Sequence, residues 1–214
     1  MKVLELFAGT RSISKAFEKH GHETYSVEWN KDFENITLYA DINELTKEKV
    51  IEICNGKPNV IWASPDYTTY SMAAISHHRY KNEYDDLEPI SDYAKFCDKT
   101  NMHVIELIKE LNPTFYFIEN PRGALRKMEF MQDLPRYTVT YCQYGDIRQK
   151  PTDIWTNHPN PQFKPMCKKG ASCHISAPRG SKTGTQGLKD SKERSIIPPL
   201  LCEHIVKICE DYIK

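Results

Sequence analysis

The chain has 214 residues, 39% apolar and 27% charged, the composition of a soluble globular protein long enough to bury one core. Its 29 basic and 29 acidic side chains cancel, so the chain as a whole advertises no polyanionic partner, and any nucleic-acid surface must come from local segregation of charge. No stretch approaches the roughly 20 apolar residues of a membrane span. Glu5 interrupts any signal-peptide core. The seven scattered cysteines lack the spacing of a disulfide scaffold, so reduced thiols in a cytoplasm are expected.

The first two-thirds alternates apolar runs with amphipathic stretches, the pattern of βαβ units around a mainly parallel sheet. Strands are predicted at 3–7 and 24–29, with a helix at 13–19 between them. A weaker strand and turn at 38–42 and a short helix at 47–54 follow, then a strand at 59–63 ended by Ser64-Pro65. A long amphipathic helix is predicted over 92–111; Pro113 stops it and a buried strand follows at 114–118. Segments 137–144 and 153–156 read as a hairpin or paired strands, and a last helix spans 199–213. Between them, residues 157–192 are rich in Pro, Gly, Ser, Thr and Lys and read as loop. The organisation expected is a catalytic core at 1–156, a basic loop-rich segment at 157–192, and a C-terminal piece at 193–214 that completes the core.

Phe7-Ala8-Gly9-Thr10-Arg11-Ser12 lies between the first strand and first helix. A glycine there lets the backbone approach a ligand, and the helix N-terminus offers N–H groups. Glu28, ending the second strand, suits the two hydroxyls of a ribose, and Trp29 offers a face for an adenine. Asp41 suits the adenine amino group, with Ile42 packing the ring. In the basic segment, Arg179, Ser181 and Lys182 suit phosphates through side chains and backbone N–H groups. Cys167, Cys173 and His174, with His158 upstream, are the residue types of a zinc site, but their spacing matches no standard finger and no metal is assigned.

Taken in order, these segments resemble the DNA cytosine-5 methyltransferases. Leu6-Phe7-Ala8-Gly9, Glu28-Trp29 and Asp41-Ile42 are similar to the first three motifs of that family. Ala63-Ser64-Pro65-Asp66-Tyr67-Thr68-Thr69-Tyr70-Ser71 resembles its Pro-Pro-Cys-x-x-Phe-Ser segment. Ile118-Glu119-Asn120-Pro121 is similar to its Glu-Asn-Val segment, and Gln143-Tyr144-Gly145 with Arg148 and Lys150 to its basic motif. Glu193 to Pro198 resembles the C-terminal motif that returns to the cofactor pocket. The large target-recognition domain is missing, as in short bacteriophage or prophage enzymes.

The resemblance implies a Rossmann-like α/β methyltransferase fold, S-adenosyl-L-methionine as cofactor, and a flipped cytosine in DNA as substrate. It assigns the cofactor to Phe7 through Ser12, Glu28, Trp29, Asp41, Ile42 and Pro65. Catalysis falls to Tyr67, Glu119, Asp66 and Arg148, and DNA contact to Lys150 together with the basic segment. So short a segment points to specificity shared with an accessory partner or a second copy.

The departure from the pattern is Tyr67, which stands where the family has its nucleophilic cysteine. A thiolate adds to C6 of the ring and makes C5 enamine-like; a phenol, ionising near ~10, is a poor substitute. Three readings follow. Another thiol attacks, Cys54 and Cys97 being the nearest in sequence. Alternatively, Ser64-Pro65-Asp66-Tyr67 holds an exocyclic amine, which attacks the methyl group directly. In the third, the chain binds DNA or cofactor without turnover.

Overall fold

The first strand shows why the sheet is covered on both faces. In β1 (Lys2–Leu6), Leu4 and Leu6 join one core cluster and Val3 the other, so the strand is apolar on both sides. The computed structural model describes residues 1–168, 170–175 and 190–213. After β1 come α1 (Ser12–Lys19), β2 (Glu23–Glu28), β3 (Leu38–Tyr39), α2 (Lys47–Ile53) and β4 (Val60–Ala63). A short helix α3 (Ile75–His78) and a small hairpin, β5 (Arg79–Lys81) with β6 (Leu87–Pro89), precede α4 (Asp92–Leu111). Then follow β7 (Phe115–Pro121), β8 (Arg136–Thr140), β9 (Pro151–Thr156), α5 (Ser191–Ser195) and α6 (Pro199–Ile213).

The main sheet has the order β3-β2-β1-β4-β7-β9-β8. Its pairings are parallel from β3 to β7, and β9 runs antiparallel to both of its neighbours. On one face, Ile13 and Phe17 of α1 and Leu201 and Ile205 of α6 pack with Val3, Trp62 and Phe117. On the other, Val50 of α2 and Val104 and Ile108 of α4 pack with Leu4, Ile61 and Ile118. The chain leaves β1 towards β2 on one side and reaches β4 and β7 on the other. The β1–β4 boundary is therefore the switch point, outside whose carboxyl ends ligands bind in open α/β sheets.

The predicted core elements are present, and α4 and α6 have the predicted bounds. Local chemistry explains α4: the Ser91 hydroxyl accepts from the Ala94 N–H at 3.0 Å, and Asn112 closes the helix in the left-handed region before Pro113. Two expectations change. The strand predicted at 114–118 runs to Pro121, which puts Glu119 and Asn120 on β7 itself. The strand predicted over 137–144 ends at Thr140; Tyr141–Tyr144 is a 3₁₀ turn ended by Gly145 at φ 85°. α3, α5 and the β5–β6 hairpin were not expected. Arg179, Ser181 and Lys182 lie outside the described residues. Among those described, no helix is long and apolar enough to cross a membrane.

Candidate active site

The turn after β1 is tightly wound, with Phe7, Gly9 and Arg11 all at positive φ (56°, 47° and 57°). For the two non-glycine residues that conformation costs about 1–3 kcal/mol each and needs support from neighbours. Glu28 gives it: its carboxylate accepts from the N–H groups of Gly9 at 3.0 Å, Trp29 at 3.0 Å and Asn30 at 2.9 Å. With about four lone-pair sites on a carboxylate, most of Glu28 is spent fastening the turn to β2. The expected helix N-terminus is also engaged. Glu5, buried on β1, accepts from Ile13 N–H at 3.3 Å and from Ser14 N–H at 2.9 Å, and burial raises its pKa. Arg11, expected at the cofactor, points elsewhere. Its guanidinium pairs with Glu18 and reaches the Thr24 hydroxyl at 3.4 Å.

Beside the turn lies a cleft of about 410 Å³ whose walls include Phe7, Trp29, Asp41, Ile42 and Pro65, five of the eleven residues expected at the cofactor; Ala8, Gly9, Thr10, Arg11, Ser12 and Glu28 do not line it. Trp29 is 72% exposed, an aromatic face without cover. Asp41 caps the following 3₁₀ turn, accepting from the Asn43 N–H at 2.9 Å. The opposite wall is a surprise: Tyr93, Phe96, Cys97 and Thr100 from the first half of α4. Their spacing places them on one helix face, and the half-exposed aromatics Tyr93 and Phe96 were the available signal.

A smaller pocket of about 100 Å³ continues from this cleft through the shared residues Phe7 and Pro65. Gly9, Thr10 and Ser12 line it from the turn, Tyr67 from the loop after β4, Glu119 from β7, and Lys150 from the residue just before β9. Arg194, Ser195 and Ile197 close it, so the C-terminal motif does return here. Glu119 is buried, and its Oε1 accepts from the Tyr141 hydroxyl at 3.0 Å. Lys150, expected as a DNA contact, faces into this pocket. Its Nζ lies 4.5 Å from the Tyr141 ring centroid and donates to the Arg194 carbonyl at 2.9 Å. Burial lowers the pKa of its ammonium, opposed by the nearby Glu119 carboxylate.

Asp66 and Tyr67 diverge. Asp66 lines the 410 Å³ cleft and its Oδ1 accepts from the Thr68 N–H at 2.6 Å, whereas Tyr67 is 40% exposed and lines the pocket with Glu119. The structure thus separates Asp66 from the catalytic group expected of it. Neither candidate thiol reaches that pocket. Cys54 is in the core with its pKa pushed up to about 12 by burial, and Cys97 belongs to the cleft wall with burial raising it to about 11.

The Tyr67 loop is held from below by a buried network that the sequence did not disclose. Asn120 Nδ2 donates to the Pro65 carbonyl at 2.9 Å. The Tyr70 hydroxyl donates to Asp98 at 2.6 Å, and burial, reinforced by that carboxylate, pushes the phenol well above its usual range. Arg79 is buried. It donates to Asp98 through two nitrogens at 2.9 and 2.6 Å, to the Thr69 carbonyl at 3.0 Å, and lies 4.4 Å over the Tyr70 ring. Gly123 completes the packing, since a Cβ there would lie 2.5 Å from the Tyr70 carbonyl oxygen.

Outside the pocket a cleft of about 470 Å³ opens past Tyr67, lined by Arg122, Arg148, Lys150 and Arg194 and by no acidic side chain among the described residues. Arg148 is buried and forked on Asp146, which raises its pKa, so it is a fixed part of the wall. Arg122 was missed in the sequence, although it adjoins a motif that was read, and Arg194, inside the C-terminal motif, was given no role of its own.

The strand order with its antiparallel member, and a glycine turn and acidic strand end at the switch point, define a Rossmann-like methyltransferase fold. No family model matches the chain. It is similar to a protein of Frog virus 3 (isolate Goorha) named "Probable DNA (cytosine-5)-methyltransferase", 26% identical over 98% of this chain and 100% of that one. Among solved structures, a prophage-encoded Escherichia coli chain described as a DNA modification methyltransferase superposes with a TM-score of 0.53 at 17% identity. That match covers 73% of this chain and 46% of the E. coli one. A mutant DNMT2 from Spodoptera frugiperda gives a TM-score of 0.47 at 18% identity, covering 72% of this chain and 49% of its own. The chain therefore spans about half the length of these solved relatives. The chain thus resembles a viral protein named as a DNA (cytosine-5)-methyltransferase and shares its fold with a prophage DNA modification methyltransferase.

Proposed function

We propose that the chain is an S-adenosyl-L-methionine-dependent DNA methyltransferase that holds a flipped cytosine between Glu119 and Lys150 and transfers the methyl group without a covalent enzyme intermediate. The observation that carries this reading is the pocket itself: Tyr67, Glu119 and Lys150 meet beside the glycine turn, and no cysteine lines it among the described residues. The cofactor would sit in the cleft, where Trp29 and Ile42 would sandwich an adenine and Asp41 would accept from its amino group. When bound, S-adenosyl-L-methionine supplies an electrophilic methyl group.

The chain's own residues do the rest. The Glu119 carboxylate accepts from the exocyclic amine of cytosine and takes the proton that this nitrogen loses on methylation. The Lys150 ammonium donates to the ring carbonyl, and its half-buried position strengthens that bond. Tyr67 stacks on the extruded base, as aromatic side chains do in base-flipping sites. Without a thiol to add to C6, carbon C5 stays a weak nucleophile, so the amine nitrogen is the acceptor favoured here. Asp66, turned to the cofactor side, is left out of this chemistry. Arg122 and Arg194 meet the flanking phosphates. Target choice draws on residues 157–192 together with a second copy or an accessory protein, and the substrate is DNA in the cytoplasm of an infected host.

Transfer of tritiated methyl groups to DNA, followed by mass spectrometry of the nucleosides, tests the reading. N4-methylcytosine is expected. 5-Methylcytosine would overturn the direct-amine route, and absence of product with cofactor binding intact by calorimetry would make the chain an inactive binder. Tyr67→Cys restores the missing thiol: the variant is expected to form a denaturation-resistant adduct with 5-fluorocytosine DNA and to acquire 5-methylcytosine activity. Failure to trap would mean that position 67 does not face C6 of the base.

A further inference from the structure

Away from the pocket, four metal-binding groups meet. The Sγ atoms of Cys142, Cys167 and Cys173 and the Nδ1 of His174 all lie within 4.8 Å of one another. The Sγ–Sγ distances are 3.1 Å for Cys142–Cys167 and 3.5 Å for Cys173–Cys142. The imidazole nitrogen is 3.6 Å from Cys167 and 3.7 Å from Cys173. A tetrahedral zinc ion with Zn–S near ~2.3 Å and Zn–N near ~2.0 Å has ligand–ligand edges of about 3.5–3.8 Å, so these atoms already stand close to that geometry. Disulfide bonding does not explain the cluster: all of these cysteines are free, and even the shortest contact far exceeds the ~2.05 Å of an S–S bond.

We propose that Cys142, Cys167, Cys173 and His174 form a structural zinc site that clasps the loop after β9 onto the turn after β8. Three thiolates and one imidazole are a donor set selective for zinc over harder divalent ions, and four protein ligands leave no open position for a substrate. The outer shell suits charged sulfur. Gln149 Nε2 donates to Cys167 Sγ at 3.3 Å, and Gln143 Nε2 approaches Cys173 Sγ at 3.7 Å. Binding would release the thiol protons to solvent. His158, the other histidine considered from the sequence, is not part of the cluster; its Nε2 contacts the Ile208 carbonyl at 3.1 Å.

The site also gives a reason for the path of the loop. Between β9 and α5 the described residues form no helix or strand, and from Lys164 to Ile175 none of them is buried, so little apolar burial holds the part that carries Cys167, Cys173 and His174. Cys142 follows Tyr141, the residue that donates to Glu119 and lies under Lys150. At the other end, Ile175 N–H donates to the Ile147 carbonyl at 2.9 Å, next to Arg148. A metal here would fix the turn that supports the pocket and set where the basic segment begins.

The test is metal analysis of the full chain purified under reducing conditions, with cobalt(II) exchange read by visible absorption. Bound zinc at one ion per chain is expected, with cobalt giving the intense d–d bands and thiolate charge-transfer band of a tetrahedral sulfur-rich site. Cys142 is buried and its loss could unfold the chain, so the variants are Cys173→Ser and His174→Ala, at the exposed side of the cluster. Each should lose most of the zinc and weaken the cobalt bands while far-ultraviolet circular dichroism is unchanged. The assignment is overturned if the reduced wild-type chain carries no zinc above buffer and gives no tetrahedral cobalt spectrum. It is equally overturned if Cys173→Ser keeps full zinc, or if peptide mapping of unreduced protein finds Cys142 and Cys167 joined as a disulfide.

Discussion

Asp98→Ala is expected to cost about 3–5 kcal/mol of folding stability, the range for removing one partner of a buried ion pair. Against a total of about 5–15 kcal/mol for an ordinary domain, that change brings the chain close to unfolding. The cause is the partner left behind. The Arg79 side chain has no solvent exposure, and Asp98 receives two of its nitrogens as well as the Tyr70 hydroxyl. Without the carboxylate the guanidinium keeps only the Thr69 oxygens, the Met128 sulfur and the Tyr70 ring. Urea unfolding followed by circular dichroism measures the effect as a lower midpoint at unchanged m-value. Asp98→Asn keeps an acceptor and is expected to fall between the two. A loss below about 1 kcal/mol, the level of an exposed pair, would show that the network is not a structural tie. Because the same network holds the 3₁₀ turn Thr68–Tyr70 that follows Tyr67, any folded Asp98→Ala is also expected to bind the target base poorly.

What the sequence disclosed and what it hid divide along sequence separation. The C-terminal end of α4 was legible because Pro113 acts on its own neighbours, and β1 because five consecutive residues already show a strand covered on both faces. The cleft beside the turn was half legible: Trp29, Asp41 and Ile42 are marked by their places at strand ends, while its α4 wall depends on how the helix crosses the sheet. Glu5 reads as an interruption of an apolar strand, and only the packed α1 shows that it caps that helix. The burial of Arg79 was hidden because its partner Asp98 lies in another element. Lys150 reads as a phosphate contact, and only the placement of β9 against β7 turns it towards Glu119. The thiol cluster is the extreme case. Cys167, Cys173 and His174 match no finger spacing because one ligand, Cys142, sits before β9, and the intervening strand brings the two segments together.

Glu119→Gln is expected to lower the rate of methyl transfer by roughly 10²- to 10⁴-fold, the contribution of a well-placed general acid–base group. The substitution is nearly isosteric, and a glutamine oxygen can still accept from the Tyr141 hydroxyl, so the fold and the turn at Tyr141–Tyr144 should persist. What disappears is the negative charge that, in the proposed route, receives the proton of the exocyclic amine. The cofactor cleft is lined by other residues, and S-adenosyl-L-methionine affinity by calorimetry should change little. Lys150 gives a second readout. The Glu119 carboxylate opposes the lowering of its pKa by burial, so its loss leaves the burial effect less compensated and the ammonium deprotonates at lower pH. The protonated Lys150 is the form that donates to the base carbonyl, so the alkaline limb of residual activity or base binding should move towards lower pH. A variant that binds cofactor normally and turns over within a few-fold of wild type would remove Glu119 from the chemistry. Loss of rate with no movement of the alkaline limb would keep Glu119 but separate it from Lys150.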